Sequence, residues 1–472
     1  MSSRAWILVV LLSACTTPNP RSCLDGVCDD PRYPFCDVNG DIGGAPNTCI
    51  EGQCEPNAIA GCQDDDLVTC NANGTNFVTS NCDFGCQGTD AQASCNLCEP
   101  NTKSCDGDRI NHCGTDGRVQ SVEECVGTCV ADSLARCTNI VPRYLPNVCD
   151  EPAAEPTLSI QNTATFDTNL DSNCNGGIIL QGGAPAICVV RYGSIVIGES
   201  AELTVSGARV LALVSDEETK VAGYLDLSAG DGFNGPGGGF TLSGGNGTMM
   251  NGLGGAGFFT NGGAGGDATT DGGANNGGLA SADPATLAVL IGGPQSGNGS
   301  FVIGGGGGAA TLVSCRGNVV VSGEINAGGG GGSGGYFNGL FVLPGAGGGA
   351  GGYVVLQGMR VSVTGKLFAN GGGGGAGMRG SQTGGKGFEG ARSMSAAFGG
   401  LAPADGATGG FGGTGSSAGG SGQKVGTAGG NAGGGGGSAG FFQTYTPVGV
   451  GAVITPSMAS PTPRPNANIP TH

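Results

Sequence analysis

The chain predicts an all-β protein: a β-solenoid with long glycine-rich loops, preceded by a small disulfide-rich module. Three observations predict this. Residues 311–327 (TLVSCRGNVVVSGEINA) and 353–369 (YVVLQGMRVSVTGKLFA) align without a gap, and each copy leads into a block of glycine. A strand-like repeat of this length, with no helix in it, signals stacked rungs. Glycine makes up 102 of 472 residues, with nearly all the excess after Gly223, while eighteen of the 21 cysteines precede Asp150. The average composition therefore hides two different regions, and crowded cysteines place the first in an oxidising compartment. A net charge of −18 argues against a nucleic acid partner, because phosphate binding needs a basic surface.

Residues 1–14 read as a signal peptide. Arg4 precedes an apolar run from Ala5 to Leu12 that is too short to span a bilayer. Leu12-Ser13-Ala14-Cys15 resembles a bacterial lipobox. The resemblance implies that Cys15 is lipidated, that the lipid is the membrane contact, and, with uncharged Thr16, that the chain is exported to the outer membrane or cell surface. Ordinary cleavage, with Cys15 as one more half-cystine, is the alternative. Residues 15–22 form a polar tether.

Residues 23–149 form the cysteine-rich module. Cys54, Cys62, Cys70, Cys82, Cys86 and Cys95 make one six-cysteine unit (54–95); Cys98, Cys105, Cys113, Cys125, Cys129 and Cys137 make a second (98–137) with nearly the same spacing. Both open with Cys-Glu-Pro-Asn and carry Asn73-Gly74 or Asp116-Gly117 after the third cysteine, where a hairpin turn is expected. Units this small need bridges in place of a large core, and their connectivity stays open. Cys95 and Cys98 have CxxC spacing at the seam of the repeats, where a structural role outweighs metal or redox chemistry. Asp64 and Asp66, with Asp106 and Asp108 as counterparts, are weak calcium candidates. No third ligand recurs with them, so solvated turns are the reading adopted and no cofactor is called for.

Ahead of the repeats, Pro34-Phe35-Cys36-Asp37-Val38-Asn39-Gly40-Asp41-Ile42-Gly43-Gly44 runs to Cys49. With the cysteine repeats and the glycine-rich solenoid, this resembles the Cys-rich, Gly-rich, secreted or lipid-anchored surface proteins of myxobacteria. The resemblance implies a location and an architecture, and carries no activity with it.

Residues 150–160 read as a linker and 161–446 as the solenoid. Short β-branched runs at 178–181, 187–191, 194–197, 202–206, 210–214 and 221–227 are separated by Gly, Asp or Ser turns. Cys174 and Cys188 are expected to bridge, leaving Cys315 for Cys149 or free. The run from Ala201 to Gly230 resembles the paired rungs of right-handed parallel β-helices of the pectin-lyase-like fold. In the aligned copies, period two places Val319/Val361, Val321/Val363, Gly323/Gly365, Ile325/Leu367 and Ala327/Ala369 inward, and Asn318/Arg360, Val320/Ser362, Ser322/Thr364 and Glu324/Lys366 outward. The long glycine runs, 233–278 and 371–440, are read as mobile insertions, with ordered glycine bundles as the alternative. A last rung is expected at 440–445, followed by a Pro-rich tail, 447–472.

An enzyme on such a fold, a polysaccharide lyase or hydrolase, needs carboxylates stacked on neighbouring rungs. The outward columns read Tyr224, Glu324, Lys366 and Asp226, Asn326, Phe368, with no two carboxylates stacked. Histidine occurs only at His112 and His472, and Asp216-Glu217-Glu218 reads as a solvated acidic turn. The reading is therefore a non-enzymatic surface lipoprotein with a structural or adhesive role, its partner an extracellular glycan or surface protein. Tyr336, Phe337, Phe341, Phe258 and Phe259 are the candidate aromatics for stacking on sugars, with folding back onto the core as an equal alternative. Ice or mineral binding would need an outward Thr ladder, which Ser322/Thr364 alone suggests.

Overall fold

The computed structural model describes residues 21–23, 26–42, 44–131, 135–153, 155–230, 232–239, 251–268, 276–280, 287–296, 304–340, 342–425 and 430–472. The signal peptide, Cys15 and most of the tether lie outside them. Packing divides the chain into two compact units, Met1–Glu124 with Cys129–Arg136 and Cys125–Thr128 with Cys137–His472. Both are all-β: among the described residues the helical turns are the short 3-10 segments Asp90–Gln92 and Asp171–Asn173.

In the first unit each cysteine repeat supplies one antiparallel three-stranded sheet. Ile59–Gln63, Asp66–Cys70 and Phe77–Asn81 form one; Lys103–Asp106, Arg109–Cys113 and Val119–Glu124 form the other. The repeats share a connectivity of first to third, second to fifth and fourth to sixth cysteine. The first has Cys54–Cys70, Cys62–Cys86 and Cys82–Cys95. The second has Cys98–Cys113, Cys105–Cys129 and Cys125–Cys137, the last of these within the second unit. Asn57 and Asn101, the Asn of each Cys-Glu-Pro-Asn, both take φ of 62°, a left-handed turn that Asn tolerates. Gly74 and Gly117 do the same at the expected hairpin turns. Cys23–Cys36 and Cys28–Cys49 clamp the hairpin of Phe35–Asp37 and Thr48–Ile50.

The second unit is built from three parallel sheets. The first holds Thr157–Ile160, Ser194–Ile197, Glu218–Val221, Asn318–Val321, Arg360–Val363 and Val453–Ile454. The second holds Ala164–Asp167, Glu202–Ser206, Tyr224–Asp226, Glu324–Asn326, Lys366–Phe368 and Met458–Ser460. The third holds Ala184–Tyr192, Val210–Ser215, Ala309–Ser314, Tyr353–Gln357, Phe441–Pro447 and Ala467–Ile469, with Ile178–Gln181 antiparallel on its first strand. The chain visits the sheets in fixed rotation, so each circuit adds one strand to each sheet. One apolar cluster draws residues from all three, among them Val319, Val361, Ile325, Leu367, Leu312 and Leu356.

The third sheet is apolar on both faces, as its near-continuous hydrophobic strands require. Its other face carries a second cluster that includes Ile140, Leu145, Phe258 and Leu290. The second unit therefore begins ahead of the 150–160 linker: residues 137–149 cover this sheet, and Cys149 is bonded to Cys315. Cys174 is bonded to Cys188.

Three differences from the sequence reading have physical causes. The ungapped alignment holds in the first two sheets, where Val319 pairs with Val361 and Ile325 with Leu367, but in the third Thr311 pairs with Val355 rather than Tyr353. The first copy spends two more residues on its bend, where Cys315 sits. A shift of two preserves which side chains face inward, so alternation cannot reveal it. The Pro-rich tail contributes the last strand of all three sheets. The prolines, Pro456, Pro461, Pro463, Pro465 and Pro470, fall between or just after those strands, where no ladder N–H is needed.

The glycine runs are the third difference. All three excursions, 227–308, 327–352 and 369–440, leave between a strand of the second sheet and the next strand of the third. Their described residues pack backbone on backbone rather than hanging as mobile insertions. Along 433–438 the N–H groups of Gly433 and Gly436 donate to Gln423 and Gly420, those of Gly434 and Gly437 to Gly375 and Gly372, and those of Gly435 and Ser438 to Leu253 and Ala256. Partners recur every third residue and all lie on other segments, the signature of three-residue-per-turn extended helices without internal bonds. A Cβ at Gly435, Gly436 or Gly437 would come within 1.8–2.0 Å of a carbonyl oxygen of another segment, so only glycine fits. Each ordered glycine loses about 1 kcal/mol more backbone entropy than alanine. An intersegment hydrogen bond contributes about as much in return.

Candidate functional site

The bends between the first and second sheets stack Gly223, Gly323 and Gly365. A Cβ there would lie 2.1, 2.0 and 1.9 Å from a carbonyl oxygen of the preceding circuit. The bare backbone forms the floor of a cleft of about 410 Å³ lined by Glu199, Glu202, Tyr224, Glu324, Lys366 and Ser457. The outward column of the second sheet runs Glu202, Tyr224, Glu324, Lys366, Met458 in successive strands. It therefore reaches one strand further back than the sequence reading and contains two carboxylates, with Tyr224 between them. Strands are about 4.8 Å apart, which sets the Glu202 and Glu324 backbones on the order of 10 Å apart.

Arg392 enters this cluster from a glycine-rich excursion. Its loop is held by buried Asn370, whose Nδ2 donates to the carbonyls of Ala391 (2.6 Å) and Ser393 (2.8 Å). The guanidinium lies 4.0 Å from the Tyr224 ring centroid, and its Nε donates to Glu324 Oε1 at 2.5 Å. Lys366 Nζ is 3.8 Å from Glu324 Oε2. The Glu324 bond raises the Arg392 pKa further. Burial first, and then the charge of Asp226, pushes the Tyr224 hydroxyl above the usual phenol range. Asn326 Nδ2 donates to both Tyr224 Oη and Asp226 Oδ1, each at 3.2 Å. Chemically the cleft offers a fixed carboxylate, a stacked cation and an aromatic face.

Other sequence candidates take structural places. Asp64 and Asp108 lie in the tight turns between the first two strands of each repeat, and Asp66 and Asp106 at the adjoining strand ends. Asp64 accepts from Asn39 Nδ2 at 3.1 Å and Asp66 from Asn81 Nδ2 at 3.3 Å. Among the described residues the sole set close enough to surround an ion is Cys23, Cys28 and Cys49, whose sulfurs are in disulfides. Buried Asp37 spends its carboxylate on the backbone N–H groups of Gly40, Asp41, Ile42 and Gly44. Asp216 is not solvated: it is buried, paired with Arg191, and accepts from Ala153 N at 2.8 Å. His112 meets Glu123 at 3.3 Å and His472 meets Asp150 at 3.3 Å.

Of the candidate aromatics, Phe258 and Phe259 fold back onto the core: Phe258 is fully buried, and both pack edge-on against Phe441. Tyr336 packs on Leu343 and Ala346, Phe337 is exposed, and Phe341 lies outside the described residues. The sequence reading missed Phe388, Phe398 and Phe411, which stand exposed on the glycine body. Single phenylalanines set among glycines (Gly-Phe-Glu-Gly, Ala-Phe-Gly-Gly, Gly-Phe-Gly-Gly) are the signal that marks them. Comparison with protein-family models, curated proteins and solved structures returns no match to this chain.

Proposed function

We propose that the chain is a non-enzymatic cell-surface lipoprotein, anchored through Cys15 in the outer membrane, that displays a rigid binding surface on a right-handed parallel β-helix. The fixed rotation of strands through three parallel sheets supports the helix. The observation that carries the functional reading is the shared exit of all three glycine-rich excursions and their hydrogen-bonded packing into one body. A protein using loops as spacers has no need of that body, whereas one presenting a fixed surface does. Export fits the ten disulfides, and the lipobox-like Leu12-Ser13-Ala14-Cys15 supplies the anchor. Cell fractionation tests it: the wild type goes to the outer-membrane fraction and Cys15→Ala is released. Recovery of the wild type as a soluble periplasmic protein would remove the surface reading.

The second column carboxylate favours one alternative, a glycan hydrolase. Glu202 and Glu324 are the pair of carboxylates such an enzyme requires, but Glu324 already carries two cationic partners. A reducing-end assay on neutral and acidic polysaccharides decides it. Release of sugar that Glu202→Gln and Glu324→Gln both abolish would establish the enzyme; no release is the expected outcome.

A further inference from the structure

We propose that Phe388, Phe398 and Phe411 form a binding strip for an extended, uncharged polysaccharide, an inference that rests on the surface-display reading and names its ligand class. The strip is built by three neighbouring glycine-rich segments. Phe388 N donates to Phe398 O at 2.9 Å and Gly385 N to Leu401 O at 3.0 Å, joining the first pair. Gly412 N donates to Ala397 O at 2.9 Å and Gly409 N to Gly400 O at 3.1 Å, joining the second. With three residues per turn, one side chain in three faces outward. Along 407–414 that position holds Thr408, Phe411 and Thr414, while the residues between them are buried.

The three outward rings are 57%, 63% and 53% exposed and follow one another at 6.2 and 5.9 Å. Scattered apolar residues on a surface are ordinary, but a contiguous row marks a contact surface. The platform beneath is hydrogen-bonded backbone, so little order has to be gained on binding.

Shape and charge select the ligand. The row runs across three adjacent segments and lies on a face rather than in a pocket, which suits a polymer. With a net charge of −18, the chain repels polyanions and anionic membranes. The charged neighbours Lys386 and Glu389 pair with each other at 3.4 Å. A pyranose chain offers an apolar C–H face at each sugar, at a repeat close to the ring spacing, and a hydroxyl rim. Ser395, Thr408 and Thr414, three residues from a ring along the same segments, supply hydroxyls for that rim. The rings meet edge to face in the free protein, and exposed side chains reorient within nanoseconds.

The test is sedimentation of the purified full chain with insoluble cellulose and chitin, and affinity electrophoresis on soluble neutral glucans and on polygalacturonate. The expected result is retention by a neutral polymer, undiminished in high salt, and none by polygalacturonate. Phe398→Ala weakens retention about tenfold, equivalent to about 1.4 kcal/mol. The triple alanine variant loses retention at an unchanged melting temperature. Retention of the triple variant at wild-type strength overturns the strip, as does failure of every neutral polymer. Binding to phosphatidylcholine vesicles in place of glycans overturns it too, in favour of a membrane contact. Location is read separately: a chain at the surface that binds no glycan loses the strip alone, and a glycan-binding chain that is not exported loses the surface reading alone.

Discussion

Gly436 has no room for a methyl group, since its Cβ would stand 1.8 Å from the carbonyl oxygen of Phe411. The obstacle is backbone fixed by its own hydrogen bonds, so it cannot swing aside as a flexible side chain would. Gly436→Ala is expected to destabilise the second unit by about 1–3 kcal/mol, the usual range for overpacking. Gly451, with nothing within 4 Å of its Cβ position, is the control, and Gly451→Ala leaves the melting temperature in place. Equal melting temperatures for the two variants would mean that the glycines are not close-packed. Asp216 shows why some residues were misread. Its sequence neighbours Glu217 and Glu218 suggest a solvated turn, but parallel pairing of Tyr192 with Ser215 brings Arg191 beside it. Asp216→Asn leaves that cation buried without its partner and is expected to cost about 3–5 kcal/mol, read by urea denaturation.

At the scale of elements, a glycine run is ambiguous because one composition serves both a flexible linker and a close-packed extended helix. What separates them is the partner set, and partners such as Gly375 for Gly434 are remote in sequence. Hydrogen exchange reads the difference directly: the amides of 372–377 and 433–438 should be protected about as well as those of Phe441–Pro447. Exchange at random-coil rates would restore the mobile-insertion reading. Strands were easier to locate, because period-two alternation marks a half-buried strand whatever its neighbour. Their register was harder, since the two extra residues at the Cys315 bend leave the alternation intact. The candidate cleft was half legible. Glu324 and Lys366 stood in the aligned repeat and Tyr224 in the column read beside it, whereas Glu202 lay in an earlier circuit and Arg392 arrives on a segment that carries no repeat.

Across the whole molecule the two units are stabilised by different means, and this separates them experimentally. Apart from cysteines, the buried apolar residues among the described residues of the first unit are Val68, Ala93, Ile110 and Ala135, too few to hold a fold of this length without its bridges. The second unit has a continuous apolar cluster across three sheets, the glycine body, and three bridges of its own. Reduction under native conditions should therefore unfold the first unit and leave the second folded. Hydrogen exchange with a thiol reductant resolves this: amides of Ile59–Gln63 and Arg109–Cys113 become fast, while those of Ser194–Ile197 and Val210–Ser215 stay slow. Within the second unit the Cys149–Cys315 bridge spans 166 residues. Replacing both cysteines by serine is expected to lower stability by about 2–5 kcal/mol without loss of the sheets, because Ile140 and Leu145 still cover the third sheet through apolar contact alone. Simultaneous loss of protection in both units on reduction would show instead that the parallel sheets depend on the disulfides, and the apolar cluster would then be too weak to account for the fold.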